Sequence, residues 1–198
     1  QVVARDGPAA TILDGEDAAS LKGFIMDNDH RGHHGHPDQR VVGFRLTRFK
    51  SNAVYRGTAQ RCQILSSYLS GDKTVHRHCL IKDMNYGGFW NEYVNCTFYN
   101  AGYYAIRHSN AFSCIIVAQG NKPVAQGTFE ISNSCLEAAQ EGEGNFVADP
   151  KFVNASAGDF RLQADSSCAK TALGSHIGKY PYDSDYAPGY LGAYPPVN

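Results

Sequence analysis

The sequence has no surplus of charge. Its 18 Lys and Arg stand against 19 Asp and Glu in 198 residues, a net charge of −1. With no basic excess to neutralise phosphates, a nucleic-acid partner is not expected. No apolar run approaches the roughly 18 residues of a transmembrane helix, so no membrane span is expected either. The six cysteines include no CxxC pair, and cysteines spaced singly cannot supply the clustered ligands of a structural zinc site. Six cysteines permit an oxidising compartment without proving one. No signal peptide is visible, and the abrupt start at Gln1 fits a processed or excised product. What the chain does have, 42% hydrophobic residues with 20 Gly and 12 Tyr, fits one β-rich globular domain.

Cysteine returns at a nearly fixed interval. Cys62, Cys79, Cys96 and Cys114 are 17, 17 and 18 residues apart, and each opens a similar apolar phrase: CQIL, CLIK, CTFY and CIIV. Equal spacing in equal context marks a repeat. The period is too short for a helix pair but suits one coil of a parallel β-solenoid. Within each phrase the cysteine and the residue two further on (Ile64, Ile81, Phe98, Ile116) share one strand face. Stacked coils then form a buried cysteine column beside a buried Ile/Phe column. Stacked side chains run parallel and their Cβ vectors do not converge, so the four are expected as free thiols acting as small hydrophobes. Serine at position 96 would bury a hydroxyl with no assured partner.

Taken in order, the chain predicts an all-β fold, a right-handed parallel β-helix of about seven coils over residues 1–133. An irregular C-terminal cap over residues 134–198 packs on the last coil. Val41 to Phe49 alternates as a single strand with Val42, Phe44 and Leu46 inward. The cysteine-led coils carry second strands around Thr74–His76, Gly88–Tyr93 and Tyr103–Arg107. Periodicity fails after Asn133, where turn residues and then tyrosine and proline dominate.

Residues 133–174, NSCLEAAQEGEGNFVADPKFVNASAGDFRLQADSSCAKTALG, followed by YLGAY, resemble the closing segment of a known family. These are bacterial right-handed parallel β-helix proteins with a choice-of-anchor Q type C-terminus, a pectate-lyase-like superfold. Asp149, Pro150, Phe152, Val153, Gly158, Asp159, Phe160, Arg161, Leu162, Gln163, Ser167 and Cys168 match its pattern, as do Gly192, Ala193 and Tyr194. GPAATILDG and the Val54–Cys62 phrase look like the same proteins' early coils. AKTALG departs from the family's IDAG, and YLGAY lacks its acidic residue. The resemblance implies the solenoid, its cap, and an extracellular or bacterial cell-surface location. Cys135 and Cys168 lie off the ladder at matching positions. A disulfide between them is expected, closing a long loop worth about 3–4 kcal/mol.

Chemistry-bearing residues are few. His30, His33, His34 and His36, flanked by Asp27, Asp29 and Asp38, could hold a divalent metal, or could form a solvated loop. No other cofactor is implied. Lys73, His76, Arg77, His78, Lys82, Glu92, Arg107 and His108 read as an outward strip. Of these, Lys73, Arg77, Lys82, Arg107 and His108 are candidates to face an acidic glycan. Asp72, Asp83 and Glu92 sit at different offsets from their cysteines, so stacking does not gather them into a carboxylate cluster, and no catalytic residue is assigned. Gln1–Ala4 begins a coil with nothing before it to pair with, which exposes an edge. Val2, Ile12 and Leu13 there, with Tyr190 and Tyr194 in the cap, are candidates for head-to-tail self-association. The expected function is an extracellular structural or adhesive solenoid that binds itself or surface polysaccharide. The alternative is a lyase or glycosidase acting on an acidic glycan.

Overall fold

A computed structural model describes residues 1–16, 23–25, 39–118, 124–127 and 130–169. Its strands pair in parallel and stack as an all-β solenoid of about five turns. Among the described strands only Phe152–Asn154 and Asp159–Leu162 pair antiparallel. Successive coils stack residue on counterpart: Leu13, Leu46, Ile64, Ile81, Phe98, Ile116 and Leu136 form one continuous column. From Leu46 to Leu136 every member is buried. Burying each such side chain contributes about 1.5–3 kcal/mol, so this column is a principal source of stability.

The turn count is about five where seven were expected, and each coil has three strand faces where the sequence reading found two. The first face follows the cysteine: Arg45–Thr47, Gln63–Leu65, Leu80–Lys82, Thr97–Ala101 and Ile115–Ala118. The second takes the opening halves of Asn52–Gln60 and Leu69–Arg77, then Tyr86–Phe89, Ile106–Arg107 and Ala125–Gln126. The third takes their closing halves, then Glu92–Val94, Asn110–Phe112 and Glu130–Ser132. Strands near the N-terminus join these faces as further rungs: Val2–Val3 pairs with Val41–Val42, and Ile12–Asp14 with Arg45–Thr47.

Corners between faces are made by non-glycine residues in the left-handed region. Arg61, His78, Asn95, Ser113 and Asn133 form one corner column, with φ between 48 and 56° (50, 50, 50, 55 and 49°). Arg48, Ser66, Asp83 and Asn100 form a second, and Arg56, Lys73, Trp90 and His108 a third. An L-residue held there costs about 1–2 kcal/mol. The conformation persists because the corner amide still donates to the next coil: Arg61 N to Arg77 O at 2.9 Å, His78 N to Val94 O at 3.0 Å, Asn95 N to Phe112 O at 3.0 Å. Gly43, with φ 77°, turns the chain at the same corner one coil earlier. It divides the run read as a single strand, so Val41 and Leu46 point inward while Val42 is only half-buried.

The cysteine column is buried as expected, and Cys62, Cys79, Cys96 and Cys114 are free thiols. Each thiol bonds the carbonyl two residues back: Gln60, Arg77, Val94 and Phe112, at 3.3, 3.3, 3.5 and 3.3 Å. The next place in the column is Ser134, whose hydroxyl donates to Ser132 O at 2.9 Å in the same way. A hydroxyl in this column therefore does have a partner, contrary to the expectation from sequence. Cys62 is held well above the ordinary thiol range, first by its hydrogen bond with Cys79 and then by burial. Burial does the same for Cys96.

A polar clamp crosses the coils beside this column. The buried Asn91 amide donates to Gly71 O at 3.1 Å, Gly87 O at 3.3 Å and the Tyr93 hydroxyl at 2.8 Å, and its oxygen accepts Thr74 N at 2.9 Å. Burial pushes the Tyr93 phenol up. His76, expected to face solvent, is fully buried and stacks on Tyr93 with ring centroids 4.9 Å apart. The corner at Lys73 restarts the alternation, so Thr74 and His76 point in while Val75 and Arg77 do not.

Parallel stacking continues past Asn133 through Cys135–Leu136 and Phe146–Val147. Beyond it, the hairpin of Phe152–Asn154 and Asp159–Leu162 turns through Ala155–Ala157, where Asn154 Oδ1 accepts Ala157 N at 3.1 Å. This hairpin folds back over the outer side of the first face, placing Phe152 and Phe160 edge-on to Tyr99. The disulfide expected here is not formed. Cys135 and Cys168 are buried free thiols in one cluster with Ile115 and Leu162. Cys135 Sγ donates to Ala148 O at 3.4 Å, and its hydrogen bond with Cys168, then burial, pushes the Cys168 thiol up.

Candidate functional site

The second face and the corner after it carry a run of surface aromatics and cations. Register aligns Tyr55, Asp72, Phe89, Arg107 and Gln126 along the face. Arg56, Lys73, Trp90 and His108 follow them at the corner. At the opening of the same face, Tyr86 stacks on Tyr103 at 5.1 Å and meets Tyr68 edge-on at 5.5 Å. Tyr68, Trp90 and Tyr103 are exposed.

Cations lie over these rings. The Arg107 guanidinium is 4.5 Å from the Phe89 centroid and 5.7 Å from that of Tyr86. The Lys73 ammonium is 5.7 Å from the Trp90 ring, and Arg56 sits 5.2 Å from Tyr55. His108 lies parallel to Phe89 at 6.3 Å. Its ring occupies the space a side chain at Gly127 would need, and Gly127 is itself left-handed, so that position calls for glycine. Cation–π contact holds the charged groups along the aromatic band instead of leaving them to sweep through solvent. Asp72 is the one carboxylate in the face column, against Arg56, Lys73 and Arg107. The strip can stack on a ring and pair with an anion within the same few coils.

Of the five glycan-facing candidates, Lys73, Arg107 and His108 come together here. Arg77 lies on the third face, in register with Gln60 and Val94. Lys82 lies on the first face and pairs with Asp83. The sequence reading missed Arg56, Tyr68, Tyr86, Phe89, Trp90 and Tyr103. Their signal was the cysteine period itself: Tyr68, Tyr86 and Tyr103 recur at 18 and 17 residues, as do Tyr55, Asp72, Phe89 and Arg107 at 17, 17 and 18. Asp72, Glu92 and Asp83 fall on the second face, the third face and a corner. No group of three or more His, Cys, Asp or Glu with metal-holding geometry occurs among the described residues. His30, His33, His34 and His36 lie outside the described residues, as do Tyr190 and Tyr194.

At the first rung, Val2, Ile12 and Leu13 are 48, 53 and 36% exposed. Val2–Val3 and Ile12–Asp14 are the outermost strands of their sheets. Asp14 there is bound through both oxygens by Arg48, which holds its carboxyl below the usual carboxylate range. No described helix is long and apolar enough to cross a membrane. No family model, curated protein or solved structure matches this chain, and none supports the resemblance to choice-of-anchor Q type proteins.

Proposed function

We propose that this solenoid is an extracellular or bacterial-surface adhesive rod that binds acidic polysaccharide along its second face. The observation that carries the reading is Arg107 set over Phe89 and Tyr86, with Lys73 over Trp90 one corner away. Aromatic bodies suit the apolar faces of sugar rings, and fixed cations suit the carboxylates or sulfates between them. The strip crosses several coils and is open along its length, which fits a polymer better than a small metabolite. A lyase or glycosidase would need its carboxylates gathered, and Asp72, Asp83 and Glu92 are dispersed. Calorimetric titration with tetragalacturonate tests the proposal. Binding should weaken with added salt. Lys73→Ala combined with Arg107→Ala should cost about tenfold or more in Kd, roughly 1.4 kcal/mol. Equal binding by the double variant would sink it.

A second reading, self-association, is favoured by the apolar side chains that the outermost strands leave exposed at the first rung. It is compatible with glycan binding, because that edge and the strip are separate surfaces.

A further inference from the structure

Where the hairpin of the cap folds back over the first face, it leaves a cleft of two joined lobes, about 480 and 350 Å³. Tyr99, Val117 and Ala155 line both lobes, so the half-buried Tyr99 sits between them. We infer that this cleft is a binding site for an uncharged saccharide, distinct from the cationic strip on the second face. The volumes fall in the range of small-molecule sites, about 300–1,000 Å³.

The chemistry of the walls selects the ligand class. Both cations that line the cleft are already paired: Lys82 with Asp83, and Lys151 with Asp165 at 2.6 Å. The carboxylates of Asp83 and Asp149 also line the cleft, so its walls carry no net positive charge, which argues against an anionic ligand. Outside these ion pairs, the other polar side chains of the lining are the Asp149 carboxylate, which accepts Lys151 N at 2.9 Å, the Ser156 hydroxyl, which donates to Asn154 Oδ1 at 2.8 Å, and the amides of Asn100 and Gln163. Asn100 Nδ2 donates to Asp83 Oδ1 at 2.6 Å, and Gln163 Nε2 to Phe152 O at 3.2 Å. One bond thus fixes each amide, while its oxygen takes no donor among the described residues. An amide held in one plane, with acceptor capacity in reserve, is matched by a ligand rich in hydroxyls. An aromatic residue between two such groups is matched by the ring of a sugar. A fatty chain would strand these polar groups without partners.

The backbone supports the positioning. Asn100 is a corner residue with φ 59°, and Asp83, with φ 55°, occupies the same corner one coil earlier. Their side chains are therefore presented by the coil stack, while Gln163 is presented by the hairpin that Phe152 and Phe160 anchor against Tyr99.

Saturation-transfer NMR and calorimetry with cellotetraose, xylotetraose and maltotetraose, beside tetragalacturonate, test the inference on the full chain. At least one uncharged probe should bind with a Kd of about 1 mM or tighter. Asn100→Gly and Gln163→Ala should each weaken it about tenfold, and Lys73→Ala with Arg107→Ala should leave it unchanged. Glycine accepts the left-handed corner, so Asn100→Gly removes the amide without adding backbone strain. If thermal unfolding shows that this variant has lost its fold, Gln163→Ala alone decides. Absence of binding by every uncharged probe, or binding by a folded Asn100→Gly and by Gln163→Ala as tight as that of the unsubstituted chain, overturns the inference. Either result leaves the tetragalacturonate measurement on the strip to stand or fall separately.

Discussion

At the scale of single residues, the cysteine column tolerates polarity for a reason visible one coil on. Ser134 occupies the column and donates to Ser132 O, as Cys96 bonds Val94 O. Cys96→Ser should therefore cost only about 1 kcal/mol, since its hydroxyl meets a carbonyl in place. Cys96→Leu, which adds bulk to a filled position, should cost about 1–3 kcal/mol. Urea unfolding of the two variants checks the order, and a serine variant less stable than the leucine variant would contradict it. A second residue-scale effect concerns acid. Arg161 bonds Asp159, with Nε to Oδ1 at 2.9 Å, and holds that carboxyl below its ordinary 3.8. The folded-state value is the depressed one, so whatever stability this pair adds is present above the unfolded value and lost as pH falls through the folded value. Carbon-detected NMR titration of Asp159 should give a midpoint below 3.8 that returns toward it in Arg161→Gln.

At the scale of elements, the strands are short and the corners strained, so cross-coil side-chain bonds matter more than local propensity. Asn91 is the clearest case. It stands between Trp90 and Glu92–Val94 and ties Gly71, Thr74, Gly87 and Tyr93 together. Gly87 and Gly88 permit the close approach, because a side chain at either would meet the carbonyl of Ala105 or Gly71. Asn91→Ala would leave the buried Thr74 N without its acceptor and take a donor from Gly71 O, whereas Gly87 O and the Tyr93 hydroxyl keep each other and Ser70. The expected loss is about 1–3 kcal/mol, with faster amide exchange at Thr74 and on the neighbouring strands. Exchange unchanged at Thr74 would show that the clamp is not structural.

At the scale of the molecule, a stack in which each coil touches mainly its neighbours behaves as a quasi-one-dimensional object. Its sides and its first rung are then separate surfaces. The strip offers charge and aromatic rings along the sides; the first rung offers Val2, Ile12 and Leu13. If that edge joins a second copy of the chain, sedimentation at about micromolar concentration should show species larger than 21.6 kDa. Val2→Lys with Leu13→Lys should restore the monomer, because the added charges meet no counter-charge there. A monomer before any substitution would remove the self-association reading and leave glycan binding untouched.

How much of this was legible beforehand follows from the kind of signal involved. The cysteine period and its apolar phrases determined the stacking register, because identical coils bury identical positions: Ile64, Ile81, Phe98 and Ile116 are paired neighbours. Where each coil turns was not legible. Corners at Arg61 and Ser113 use residues with little intrinsic liking for the left-handed region, held there by hydrogen bonds to the next coil. Each corner resets the alternation, and so His76 went inward and Val42 did not. The candidate strip was half legible. Lys73, Arg107 and His108 stand out as cations, but the aromatics beneath them, at the same period, share an outward face only once the corners are placed. The cleft under the cap could not be read at all, since Asn100 and Gln163 come to either side of Tyr99 only when the hairpin folds back on the first face. Sequence alone determined the repeat and its buried columns. Tertiary structure decided which outward side chains share a surface, because that depends on the corners, and the corners are set by neighbouring coils.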